Sequence, residues 1–444
     1  MAVDMERIPA RRRRLAGRLA VLGERDFRWF FVGYATSLLG SSMAPVAVAF
    51  AVLDGGGGSG GHGGSGTDLG WVMAARILPI VLVLLAGGVI ADRLGSRRVM
   101  LASDVLRGVV QAVFAAVLMA GRAPVWAMVV LVAVWGVGEG LFMPALGALV
   151  PGLVRDRSRL PDANTLLGLA RSVGTVAGPA VAGVVTAAQG PAAVLLVDAV
   201  TYGVGALALA RLSLPGRAEG GADRSGSMLG DLRSGWWEFG SRPWLWITTA
   251  HMGLFNLLVW APFLVLGPLA ARQGLGGARG WGLVMGAYGV GAVMGGLLML
   301  GRRPGRPLAV ATLATFGWVL PSAALAAGAS LAWVVSAALL AGAGSAVCGT
   351  LYSTTMQSWV PPEVLARVAS FGALGAFVLG PVGLAAAGPA ADQIGSARVL
   401  LFGALWQLVA GGVVLAVPAV RRRRWEQAVE GVRGERGLGH KTGK

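Results

Sequence analysis

The 444-residue chain is 55% hydrophobic and only 13% charged, which excludes a soluble domain of ordinary composition and makes the bilayer its natural solvent. Its formal net charge of +17 does not point to a nucleic-acid surface, because the basic residues stand in short runs between apolar segments instead of gathering on one polar domain. The single Cys348 lies in an apolar segment, which excludes a disulfide framework and a thiolate metal cluster.

In chain order, residues 1–26 are a basic segment with Arg11 to Arg14. The apolar run behind them is broken by Arg18, Glu24, Arg25 and Arg28 with no small-residue cleavage site, so a stretch lying on anionic lipids is expected instead of a twin-arginine signal. Crossing roughly 30 Å of hydrocarbon takes about 20 apolar residues. Six such segments follow in 27–212, approximately Phe27 to Leu53, Leu69 to Ala91, Val99 to Ala120, Val125 to Val150, Ala163 to Ala188 and Pro191 to Leu212. The glycine-rich run Gly55 to Gly66 lacks the Lys of a phosphate-binding loop and is expected to be a linker. Residues 213–242 form the longest polar stretch and separate the two sets of helices. Six more segments occupy 243–420, approximately Trp244 to Ala271, Trp281 to Leu300, Leu308 to Ala327, Leu331 to Ser353, Arg367 to Ala391 and Ser396 to Val420. A basic tail, 421–444, ends the chain.

Lys and Arg are retained on the cytoplasmic side of a membrane. Alternate loops and the two ends hold 31 of the 38 basic residues, the opposite loops hold four (Arg122, Arg272, Arg279 and Arg398), and Arg76, Arg107 and Arg171 fall inside segments. Both termini are therefore expected in the cytoplasm. The halves also echo each other. Pro161 leads to Gly178-Pro179 and Pro362 to Gly380-Pro381, which gives the fifth and eleventh helices matching roles.

Charged groups inside a bilayer, each costing about 2.5 to 3.5 kcal/mol on insertion scales, are functional candidates by default. Glu139 lies near the midplane of the fourth helix, with Arg171 at similar depth in the fifth. Asp104 and Arg107, three positions apart, share a face of the third helix. Asp198 lies in the sixth. A carboxylate that is alternately buried alone and met by an arginine can take up a proton in one conformation and lose it in the other. Glu139 is the first candidate for that role; the alternative is a fixed structural pair, Glu139 with Arg171 or Asp104 with Arg107. His251 in the seventh helix is a weaker candidate. Tyr34, Asn256, Trp260, Tyr288 and Gln357 can line an apolar cavity or face lipid.

The loop "GGVIADRLGSRRVM" after the second helix, with Gly88, Asp92, Arg93, Gly95, Arg97 and Arg98, resembles the signature loop of the major facilitator superfamily, although Ser96 stands between Gly95 and the basic pair. On the fifth helix, Gly174, Gly178, Pro179 and Gly183 resemble the motif of exporters and antiporters in that superfamily. "LPDANTLLGLARSVG" and "MQSWVPPEVLARVASFG" resemble the branch that includes macrolide-efflux and enterobactin-export proteins. Two departures stand out: the fourth helix lacks the Arg of many proton-antiporting drug exporters, and Ser41 occupies a place where this branch often has an acid.

The resemblance implies an all-α fold of 12 transmembrane helices in two pseudo-symmetric six-helix halves. It further implies a monomer in the plasma membrane that exports small hydrophobic compounds in exchange for protons, with an inner gate at the loop after the second helix. No cofactor, metal or nucleic acid is implied. Two rivals stay open: an importer or uniporter of a small nutrient, and a non-transporting scaffold or receptor. A membrane enzyme would need convergent nucleophilic or acid–base groups, and His62, His251 and His440 are scattered.

Overall fold

The computed structural model describes residues 20–55, 64–121, 123–154, 159–213, 236–300, 302–360 and 362–421. The basic amino-terminal stretch through residue 19, most of the glycine-rich run, residues 214–235 of the polar linker and the tail beyond Arg421 lie outside them.

Among the described residues, 12 helices are long and apolar enough to cross a membrane. In the first half they are α1 (Arg25–Gly55), α2 (Gly66–Leu94), α3 (Ser96–Met119), α4 (Val125–Leu153), α5 (Leu160–Gln189) and α6 (Pro191–Ala210). In the second half they are α7 (Pro243–Gly274), α8 (Gly277–Met299), α9 (Pro307–Ala326), α10 (Leu331–Trp359), α11 (Pro362–Phe377 continued by Gly380–Ile394) and α12 (Ser396–Ala416). Three joints are a single left-handed residue. Gly95 (φ 85°), Gly190 (φ 83°) and Gly395 (φ 89°) link α2 to α3, α5 to α6 and α11 to α12, in a conformation that a Cβ would oppose. The last two occupy equivalent places in the two halves, a correspondence that extends the proline echo of the sequence.

The chain divides into two compact units: 1–64 with 75–223, and 65–74 with 224–444. The start of α2 thus belongs with the second unit. There Thr67 donates to Asp392 at 2.8 Å, and Gly70 and Gly388 leave no room for side chains against the Leu384 carbonyl and the Thr67 backbone.

Each unit has its own core near the end of its helices expected in the cytoplasm. Unit 1 packs Phe27, Phe30, Met100, Leu149 and Leu153 there, and unit 2 packs Trp244, Leu245, Leu308 and Val360. The outer surface remains apolar. Val200 and Val409 are each 67% exposed, as lipid-facing positions require. Trp126 and Trp333 project from the first turns of α4 and α10, equivalent positions at the level of an interfacial aromatic belt.

α5 runs unbroken through Pro179, whereas α11 is interrupted between Phe377 and Gly380. α7 contains a π-helical turn at Asn256–Trp260, and α9 a 3₁₀ turn at Phe316–Trp318.

Candidate functional site

The polar groups of unit 1 form a connected network within the membrane-spanning helices. Arg76 on α2 clasps Glu139 on α4, with Nε donating to Oε2 at 3.0 Å and Nη2 at 2.9 Å. The pair is partly open, its side chains 22% and 30% exposed. The guanidinium of Arg76 lies 4.1 Å from the ring centroid of Trp135, one turn before Glu139 on α4. Trp135 Nε1 donates to the Tyr202 hydroxyl on α6 at 2.9 Å, and Ser41 Oγ on α1 lies 2.8 Å from the same oxygen. Four helices therefore converge on one tyrosine and one ion pair.

Arg107 on α3 donates to Asp104 and stacks between Phe142 and Tyr202, 4.4 Å from each ring centroid. This pair is closed, with Arg107 5% and Asp104 2% exposed. Two glycines make the space. A Cβ at Gly138 would lie 2.6 Å from Arg107 Cγ, and one at Gly205 would lie 2.8 Å from Asp104 Oδ2. Asp198 is fully buried on α6 and accepts from Gln111 Nε2 at 2.9 Å.

Asp104 and Arg107 thus form the ion pair that their spacing of three allows. Glu139 does not pair with Arg171. Its partner is Arg76, while Arg171 reaches the Tyr34 hydroxyl at 3.4 Å and lines a cleft of about 480 Å³ between α4 and α5 together with Asn164. Depth along a helix says nothing about the direction in which a side chain leaves it, and α2 rather than α5 presents an arginine to Glu139.

At the joint of α2 and α3, Arg93 in the last turn of α2 and Arg98 in the first turn of α3 are exposed. Gly88 lies within α2, and the side chain of Asp92 lies outside the described residues. Arg97 closes the end of α6, with Nε donating to the Leu209 carbonyl at 2.9 Å and Nη2 to the Ala210 carbonyl at 2.7 Å. The Leu209 carbonyl also accepts from the Leu212 N–H at 3.3 Å, and both carbonyls lie in the last turn, where a cation meets the negative end of the helix dipole. On α5, Gly174 and Gly178 pack against α1. Cβ atoms there would lie 2.9 Å from Ser42 Oγ and 2.4 Å from Ser42 Cβ, so these positions form a tight seam beside Pro179, with Gly183 also buried.

Unit 2 carries a cavity of about 640 Å³ between α7, α9, α10 and α11. Gln357 lines it, as do His251, Trp318, Cys348 and Tyr352, and its described lining contains no Asp, Glu, Lys or Arg. The remaining cavity candidates have other duties. The Asn256 amide donates to the Met252 carbonyl and, at 3.0 Å, to the Ala376 carbonyl, tying the π-helical turn of α7 to α11. Trp260 and Tyr288 pack around Trp318, with ring centroids 4.9 and 5.4 Å from it. Tyr34 stacks on Phe30 and Phe142.

Sequence reasoning missed the roles of Trp135, Tyr202 and Gln111, and it counted Arg76 as an in-helix arginine without a partner. The available signal was that cation itself, since a charge inside a helix demands a counter-group.

The Major Facilitator Superfamily model matches residues 30–384. The chain is similar to the multidrug efflux pump Tap of Mycolicibacterium fortuitum, with 25% identity covering 87% of this chain and 94% of the relative. It is also similar to macrolide efflux protein A of Streptococcus pyogenes, with 22% identity covering 89% and 94%. Among solved structures, the nucleoside transporter NupG aligns with a TM-score of 0.64 at 16% identity, covering 88% of this chain and 98% of that one. A bacterial homolog of the human lysosomal transporter Spinster aligns with a TM-score of 0.65 at 15% identity, covering 90% and 98%. These structural likenesses agree on the fold. With 12 membrane-spanning helices and a family match over most of its length, the chain belongs to the Major Facilitator Superfamily of membrane transporters.

Proposed function

We propose that the protein exports small, predominantly apolar compounds by alternating access, driven by proton antiport across the plasma membrane. The observation that carries this reading is the cavity of unit 2, about 640 Å³ of mostly apolar lining without a charged side chain among the described residues. Such a space suits a predominantly apolar solute whose polar groups meet a few of the lining hydroxyl and amide side chains, and it disfavours an ion, which would find no counter-charge. The efflux pumps among the relatives support the direction of transport.

Coupling is assigned to unit 1. Glu139, partly open and held by the movable guanidinium of Arg76, is the carboxylate best placed to alternate between paired and protonated states. The closed Asp104–Arg107 pair is assigned to structure and Asp198 to a supporting place in the network. A proton entering across 100 mV supplies about 2.3 kcal/mol, enough for a roughly fifty-fold gradient of a neutral solute. The inner-gate role of the turn at Gly95 rests on Arg97, whose hold on the end of α6 is a contact that can be made in one state and released in another. The protein is taken to work as a monomer, its basic termini on anionic lipids.

The test is flux of a panel of small, uncharged, predominantly apolar antibiotics in proteoliposomes with and without an imposed pH gradient. The reading expects accumulation that collapses when the gradient is dissipated. Flux indifferent to the gradient removes antiport, and absence of flux for the whole panel removes export.

A further inference from the structure

Two arginines inside the helices of unit 1 each hold a carboxylate, Arg76 that of Glu139 and Arg107 that of Asp104. Arg171 holds none. Among the described residues its guanidinium makes no ion pair and one hydrogen bond, to the Tyr34 hydroxyl at 3.4 Å. Arg171 follows Leu160, the first residue of α5, by three turns, about 16 Å along the axis. It therefore lies in the membrane-spanning part of the helix, where a cation is costly unless something brings it a counter-charge.

The surroundings of Arg171 leave room for such a group. The cleft of about 480 Å³ between α4 and α5 has a glycine on each wall, Gly147 on α4 and Gly168 on α5. A Cβ at either would meet nothing within 4 Å among the described residues. Asn164, Gly168 and Arg171 follow one another at the spacing of a single helix face, so the open space over Gly168 is flanked by an amide on one side and a guanidinium on the other. Both of those side chains are exposed and line the cleft. The rest of the described lining is uncharged and largely apolar, with Met143, Leu146 and Val150 on α4 and Leu167 on α5.

This combination selects among anions. A guanidinium presents a fork of donors that matches a carboxylate, and one such cation offsets one negative charge. A phosphate dianion would bring a second, uncompensated charge into apolar surroundings. A phospholipid keeps its phosphate at the level of the headgroups, outside a guanidinium that stands three turns into the helix.

We propose that the cleft is a binding site for an amphipathic organic monocarboxylate, with Arg171 pairing the carboxylate, Asn164 offering it an amide donor, and the apolar walls of α4 and α5 covering the rest of the molecule. The site is separate from the cavity of unit 2 and does not rest on the export reading.

The test is saturable binding of radiolabelled octanoate to the full chain in phosphatidylcholine nanodiscs at neutral pH, with protein-free nanodiscs as the blank. Unlabelled octanoate and octanol, which share a chain length and differ in charge, compete for the site. Octanoate should displace the label at a concentration about tenfold to a hundredfold below that of octanol, the range of charge-assisted hydrogen bonds. Arg171→Gln should weaken octanoate binding by a similar factor, and Arg171→Lys, which keeps the charge and loses the fork, should weaken it less. Gly168→Leu should remove saturable binding by filling the gap while leaving the thermal midpoint unlowered, because nothing stands in its way. If Arg171→Gln fails to fold, Gly168→Leu and Arg171→Lys carry the test. Adding phosphatidylglycerol should weaken octanoate binding by no more than about threefold, the effect of a negative surface potential on a monovalent anion.

The proposal is overturned by any of four results: no saturable octanoate binding in the wild type, octanol as effective a competitor as octanoate, undiminished binding in Arg171→Gln, or undiminished binding in Gly168→Leu. A loss of about tenfold or more on adding phosphatidylglycerol also overturns it, because the surface potential alone cannot produce that loss and the site would then belong to a lipid phosphate.

Discussion

The two units divide their polar chemistry unequally. Unit 1 holds Arg76, Arg107, Asp104 and Glu139 within its helices, joined through Trp135 and Tyr202, and Asp198 held by Gln111. Unit 2 offers a cavity whose described lining carries no Asp, Glu, Lys or Arg. Yet the helix seams of the two units are alike. Gly178 on α5 meets Ser42 on α1, and Gly383 on α11 meets Leu257 on α7, both too close for a Cβ. A shared scaffold with divergent interiors teaches that packing preserves the repeat, while charge and cavity mark where the halves have taken separate work.

The strongest break in this comparison is expected at Arg107. Replacing it with Met leaves Asp104 buried without its cation, at a cost of about 3–5 kcal/mol. Folded yield in detergent and the thermal midpoint should fall sharply, and adding Asp104→Asn should recover much of the loss. A mild effect of the single change would show that the closed pair is not structural.

The seams come next. Gly178→Ala and Gly383→Ala should each destabilise by about 1–3 kcal/mol, because backbone as well as side-chain atoms stand in the way. Comparable losses would support the shared scaffold, and a loss confined to one half would break it. Asn256→Leu removes two hydrogen bonds across the π-helical turn of α7, and about 1–3 kcal/mol is expected in the same melting assay. The smallest effect belongs to Thr67→Ala, at an exposed contact with Asp392, which should stay within about 0.5 kcal/mol.

The helices were legible because a bilayer makes apolar length a direct requirement, and ends were misjudged where polar residues continue a helix. α10 runs to Trp359 instead of stopping at Ser353, since Thr354 satisfies its hydroxyl on the Thr350 carbonyl and can remain helical. The Asp104–Arg107 pair was legible from its spacing of three. The Arg76–Glu139 pair was not, because 63 positions separate its members and only the packing of α2 on α4 brings them together. The π-helical turn of α7 was equally hidden, arising from contacts of Asn256 across helices that no local pattern records.

The division of labour itself is tested most directly by Glu139→Gln, measured in one preparation for both functions. Gradient-driven accumulation of the transported antibiotic should be abolished, while the concentration of that antibiotic that half-protects Cys348, which lines the cavity of unit 2, from a maleimide stays within about threefold of the wild type. Retention of gradient-driven accumulation, or loss of protection together with it, would contradict the assignment of coupling to unit 1 and binding to unit 2.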